Sequence, residues 1–226
     1  IDHCLVGEPT SPSQMGEMMK IGRRGSMNAK ITATGIQGHS AYPDRSNNPI
    51  VAMVKLLDKL VSHQLDAGTE HFDPSTLAIT SVDTGNKASN VIPAVTKATI
   101  NIRFNDSHSG SSLVSWLKDE IEKVSAEYGI KFKTDFKISG ESFITPPGEL
   151  SDLISKAVKQ ELGVTPKLST TGGTSDARFI KDMCPVTEFG LVGKTMHAVD
   201  EKVETKQINQ LKEIYTRILE AYFEKT

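Results

Sequence analysis

Cysteine is almost missing from this sequence: Cys4 and Cys184 are the 2 present in 226 residues, far apart and without a Cys-x-x-Cys spacing. That excludes a disulfide framework and a cysteine-built zinc site, and fits a reducing cytoplasm. Long hydrophobic runs are missing as well. The longest apolar stretches, such as residues 4–6 and 51–54, fall far short of the roughly 20 residues that cross a bilayer, so no membrane partner is expected. Charge of one sign is missing too. The 26 Lys and Arg against 28 Asp and Glu leave a net charge of -2, no field to gather nucleic acid. The chain opens at Ile1 with no basic or signal-like segment and enters an apolar stretch at once, so it reads as beginning inside a fold.

What is present is a hydrophobic share of 37%, enough for a sizeable core, patterned with clear periods. From Met27 to Ile36 apolar and polar residues roughly alternate, which predicts a half-buried strand. Pro49 then opens a helix with Ile50, Met53, Val54, Leu57, Leu60 and Val61 at helical spacing. Strand-like runs follow at 76–82 and 96–104, then a helix over 111–128 ended by Gly129, then a strand from Ile130 to Ile138. The order β-α-β-β-α-β predicts a ferredoxin-like unit over residues 25–138. Residues 1–24 and 139–226, the latter with helices over 149–162 and 207–223, read as two pieces of one α/β domain into which that unit is inserted.

Three loop segments carry residue types that a structural role does not demand. Glu8 follows a short apolar strand, where parallel sheets place ligand-binding groups. His197 is followed by Asp200 and Glu201, either of which could orient an imidazole ligand. Small residues over 169–174 bring backbone N–H groups near a bound anion, and Ser175-Asp176 is expected to open a helix whose positive end faces the same place. Taken singly, each also reads as ordinary surface: a solvated turn, a polar loop, a capped helix. Two further loops join them, Gly22-Arg23-Arg24-Gly25-Ser26, an arginine fork suited to a carboxylate, and Gly38-His39-Ser40-Ala41-Tyr42-Pro43.

These segments, with Asn90-Val91-Ile92-Pro93, Gly172-Gly173-Thr174-Ser175-Asp176-Ala177-Arg178-Phe179 and Thr195-Met196-His197-x-x-Asp200-Glu201, occur in one order. That order and wording resemble the aminoacylase/carboxypeptidase family of dinuclear zinc hydrolases, along essentially the whole chain. The resemblance implies an α/β fold, a partial zinc-peptidase-like domain with an inserted ferredoxin-like lid through which two copies pair. It implies an amide hydrolase using two zinc or cobalt ions, with Glu8 a ligand of one and His197 of the other. It further implies that Arg23, Thr174 and the backbone at Gly173 hold the carboxylate of a succinylated small-molecule substrate. His39 would polarise the scissile carbonyl in the partner subunit's site, with Asn90 beside it and Tyr42 sharing the task. Where such relatives usually carry Asn four residues before the ligand His, this chain has Gly193. The family's His-x-Asp, bridging Asp and Glu-Glu motifs do not occur in it. Two other readings fit the same pattern: a dimerisation and gating module without activity of its own, and an RNA-binding sheet. The run 97–104 lacks the Gly/aromatic pattern of the latter.

Overall fold

The computed structural model describes residues 1–224. Its strands and helices run β1 (Cys4–Val6), β2 (Met18–Lys20), β3 (Gly22–Arg23), β4 (Gly25–Thr34), β5 (Gly38–His39), α1 (Pro49–Ser62), β6 (Thr76–Asp83), β7 (Val91–Ile92) and β8 (Val95–Phe104). There follow α2 (Gly110–Tyr128), β9 (Lys131–Gly140), β10 (Phe143–Ile144), α3 (Glu149–Leu162), β11 (Lys167–Ser169), α4 (Ala177–Ile180), β12 (Val186–Glu188) and α5 (Thr205–Phe223). They form two compact units, one of Ile1–Arg24 with Phe143–Thr226, the other of Gly25–Ser142.

In the second unit a four-stranded antiparallel sheet has the order β6-β8-β4-β9, the strand order of a ferredoxin-like unit. Alternation decides which face is covered. Met27, Ala29, Ile31 and Ala33 of β4 lie beside Ala98, Ile100, Ile102 and Phe104 of β8, all buried under α1 and α2. The polar partners Asn28, Lys30, Thr99 and Asn101 take the other face, where Asn101 Nδ2 donates to Asn28 Oδ1 at 3.0 Å. Ser109 caps α2, and Gly129 ends it in the left-handed conformation that its sequence predicts (φ 60°).

The structure corrects the reading of α1. Its core face is Ala52, Met53, Leu56, Leu57 and Leu60, whereas Val54 and Val61 point away and are 55% and 50% exposed. The helix is apolar on two sides, so spacing alone could not say which side the sheet covers.

The chain between α1 and β6 is held by one carboxylate. Asp66 accepts from the N–H groups of Gly68 (2.8 Å) and Ser75 (3.2 Å), from Asn105 Nδ2 (2.6 Å), and lies 3.2 Å from His108 Nε2. Burial disfavours its charge, but the donors on Ser75, Gly68 and Asn105 outweigh it and hold the carboxyl below its ordinary value.

In the first unit β1-β12-β2-β11 form a mixed sheet, parallel at β1/β12 and β2/β11 and antiparallel at β12/β2, with the short ladder of β3 and β10 apart from it. Met19, Ile21, Ile154, Val158, Phe189, Ile214 and Ile218 build its core, with α3 packed on α5. β1 is an edge strand, and beside it a groove of about 490 Å³ is lined by Leu5, Leu150, Leu153, Ile218, Leu219 and Phe223. No helix among the described residues is long and apolar enough to cross a membrane.

Because the folded pKa of Asp66 lies below the unfolded one, its contribution is complete above the unfolded value and fades as pH falls through the folded value. Thermal melts of the wild type and Asp66→Asn should therefore differ by a constant gap from pH 7 down to about 5, and the gap should close below about pH 4. A gap that stays fully open down to about pH 2 would show that the carboxylate charge is not what is held.

Candidate active site

The first unit carries a cavity of about 580 Å³ whose lining includes Glu8, Lys20, Arg23, Gly173, Thr174 and His197. Five of these are residues that the sequence singles out, separated by up to 189 positions, and Lys20 is an addition.

Glu8 enters two residues beyond β1 on a half-buried turn. That turn is fixed by Thr10, whose hydroxyl donates to the Met18 carbonyl at 2.9 Å and accepts from the Gly190 N–H at 3.2 Å. His197 lies on the exposed loop after β12, closed by the Thr195 hydroxyl against Lys202 N (3.0 Å) and O (2.8 Å). Its φ of 62° is in the left-handed region, as is that of Asp200 at 61°, a conformation that costs a residue with a Cβ about 1–2 kcal/mol. The carboxylate reaching His197 is that of Glu201, and it meets the backbone N–H (3.3 Å). Glu201 therefore shapes the turn at a point where the sequence suggested a partner for the ring.

Arg23 is buried and ion-paired. Its Nε lies 3.0 and 3.1 Å from the two carboxylate oxygens of Glu188, its Nη2 donates to the same carboxylate, and its Nη1 donates to the Thr171 carbonyl at 3.2 Å. These bonds leave one N–H on each terminal nitrogen, the pair that could meet a second planar acid end-on. Gly172 makes this packing possible. It has φ 101°, and a Cβ there would come within 2.5 Å of Arg23 Nη1. Lys20, also buried, donates to Ser169 Oγ (3.2 Å) and Thr171 Oγ1 (2.7 Å). Two buried cationic side chains thus flank the 169–174 loop.

Ser175 does not cap a helix. Its hydroxyl donates to Glu188, and α4 that follows is a single turn without a side-chain cap. The expected helix dipole therefore gives way to side-chain charge. At Gly193 an added Cβ would meet Pro9 Cβ at 3.4 Å, an ordinary contact, so space alone does not exclude the Asn that relatives carry.

The sequence reading missed Lys20 and Glu188. Both left a signal, since a charged residue inside an apolar run, as in Val186-Thr187-Glu188-Phe189, needs a buried partner. Among the described residues no group of three or more His, Cys, Asp or Glu could hold a metal ion. Glu8 and His197 are suitable donor types lining one cavity, and two donors are fewer than the roughly three that a catalytic metal takes from protein.

The remaining candidates lie in the second unit. The ladder β5/β7 sets His39 opposite Val91, and Ser40 N donates to the Asn90 carbonyl at 3.0 Å. Two positions 51 apart in sequence thus become neighbours. The Tyr42 ring lies 5.9 Å from that of His39, and all three residues are exposed.

Residues 21–129 match the peptidase dimerisation domain. The motifs that resemble the aminoacylase/carboxypeptidase family of metallohydrolases lie both within this stretch and on either side of it. It is 65% identical over 220 residues to the succinyl-diaminopimelate desuccinylase of Ruegeria pomeroyi and 62% identical over 223 residues to that of Dinoroseobacter shibae. These alignments cover 97% and 99% of this chain but only 58% and 59% of the relatives' own length. A tripeptidase from Staphylococcus aureus shares the fold with a TM-score of 0.80 at 19% identity, over 93% of this chain and 55% of that one. An aminopeptidase from Bacillus cereus does so with a TM-score of 0.79 at 18% identity, over 96% of this chain and 56% of that one.

The ion pair generates a stability prediction. Glu188→Gln leaves the Arg23 guanidinium buried without a counter-charge and should destabilise the chain by about 3–5 kcal/mol in thermal or urea melts. Replacing both partners, Arg23→Met with Glu188→Leu, should recover much of that loss. A single variant as stable as the wild type would mean that the pair is solvated and not buried.

Proposed function

We propose that this chain forms the carboxylate-binding pocket and the lid of a metal-dependent amide hydrolase, an N-succinyl-LL-2,6-diaminopimelate desuccinylase. It would release succinate and LL-2,6-diaminopimelate in the synthesis of lysine and cell-wall precursors in the cytoplasm. The observation that carries this reading is the single cavity in which Arg23, Lys20 and Gly173-Thr174 are grouped with Glu8 and His197. The identity with the desuccinylases supports the choice of acyl group.

Two zinc or cobalt ions, each taking one ligand from Glu8 or His197 and the others from outside this chain, would supply Lewis-acid activation of water and of the amide carbonyl. The chain's own residues then divide the remaining work. Arg23 presents its two free N–H groups to the succinyl carboxylate, with Thr174 and the Gly173 backbone closing around it. His39, with Asn90 and Tyr42, donates to the carbonyl oxygen of a substrate held in the partner subunit, where negative charge develops in the transition state.

That division requires a homodimer, and the second unit has one edge suited to it. β9 displays exposed Lys131, Lys133 and Lys137, charges that keep an edge from pairing. β6 carries no Lys or Arg, and Ile79 (38%) and Val82 (53%) are exposed along it. The neighbouring α1 exposes Val51, Val54 and Val61. An apolar edge joined to an apolar helix face supports pairing through this surface.

Two experiments test the reading. In the full-length protein, Arg23→Lys should lower kcat/KM for the succinylated substrate about tenfold or more, and lower it less for an acetylated analogue, because only the former offers a carboxylate to the fork. Equal losses would mean that Arg23 reads nothing on the acyl group. On this chain, Ile79→Lys with Val54→Glu should convert a dimer to a monomer in sedimentation. A wild type that stays monomeric at high concentration would remove the dimer.

A further inference from the structure

His39 ends β5 and opens the turn that follows, closed by the bond from Tyr42 N to the His39 carbonyl (2.9 Å). Inside this turn a second bond runs to the ring: the backbone N–H of Ala41 donates to His39 Nδ1 at 3.0 Å. A backbone N–H can only donate, so the ring nitrogen it meets must offer its lone pair. The proton of the neutral imidazole is then on Nε2. We infer that the Ala41 backbone amide is a positioning group that locks His39 in the Nε2–H tautomer. The lid histidine is therefore a hydrogen-bond donor, and its ligand is an acceptor oxygen, not a group that must lose a proton to it.

The surroundings support a fixed ring. The Tyr42 ring flanks that of His39 with an interplanar angle of 58°, and the Arg45 guanidinium covers Tyr42 at 4.9 Å from its ring centroid. On the other side the β5/β7 ladder pins the backbone of His39 against Val91. One nitrogen is thus satisfied from within the turn, and the other is left on an exposed surface. The same residue types, His-x-Ala-Tyr, read in sequence as an ordinary polar loop. Only the turn geometry assigns a proton to one nitrogen.

The catalytic meaning of this lock rests on the function proposed above, but its test does not. Nitrogen-15 correlation spectra of the labelled chain should show His39 Nε2 with a protonated shift and Nδ1 with an unprotonated one. A scalar coupling across the hydrogen bond should link Nδ1 to the Ala41 amide. Ala41→Gly keeps the donor and should keep both signatures. Ala41→Pro removes it and should lose the coupling and move both shifts toward a tautomer average, with the rest of the spectrum retained as the check of folding. A proton on Nδ1, or averaged shifts in the wild type, would overturn the inference whatever the enzyme does. Intact signatures alongside a His39→Gln full-length enzyme of undiminished turnover would instead remove the catalytic role and leave the tautomer lock standing.

Discussion

Burying a guanidinium against a carboxylate commits everything around it. Arg23 and Glu188 come from β3 and β12, and the pair can exist only if both strands deliver charged side chains to one place away from water. The cost of desolvating two ions is offset only when good geometry is joined by further hydrogen bonds. Thr171 therefore turns its carbonyl toward Nη1, Ser175 gives its hydroxyl to Glu188, and Gly172 takes a conformation and a closeness that no other residue tolerates. The loop that lines the cavity is thus shaped by the ion pair before any ligand arrives. Lys20, held by Ser169 and Thr171, adds a second cationic side chain to the same loop. Under the function proposed above, such a pocket would receive the carboxylate of an acyl group ending in an acid.

The second unit solves a different problem. Its sheet must bury one face, carry a polar loop and keep its two edges distinct. Strict alternation on β4 and β8 does the first. The short β5/β7 ladder does the second by holding His39 and Asn90 together outside the main sheet. The uneven charge of the two edges does the third, with lysines on β9 and none on β6. The exposed Val51, Val54 and Val61 lie on the helix that neighbours β6, the edge without lysines.

Elements with a clean period were legible before any coordinates. The strands at 25–34 and 95–104 and the helices at 110–128 and 149–162 fall within one or two residues of where alternation, capping and Gly129 place them. The grouping of Glu8, Arg23, Gly173, Thr174 and His197 around one cavity came from motif order and not from any local signal, because each segment alone is an ordinary loop. What the sequence hid was pairing. Glu188 and Lys20 are charged residues within short apolar strands, and nothing in the linear order says that Arg23, 165 positions from Glu188, is the counter-ion. Likewise Ser175-Asp176 has the wording of a helix cap, but a buried carboxylate competes for the serine and wins.

The account's central claim is that this chain supplies a ready-made acyl pocket, with one metal ligand of each kind, to a site completed by other residues. The direct measurement is succinate release from N-succinyl-LL-2,6-diaminopimelate by a chimera in which this chain replaces the matching portion of the Ruegeria pomeroyi relative. The account predicts turnover by the metal-loaded chimera, abolished by Glu8→Gln or His197→Ala, and none by the chain alone. A folded, dimeric, metal-loaded chimera that releases no succinate, or turnover by the chain without its complement, would contradict it.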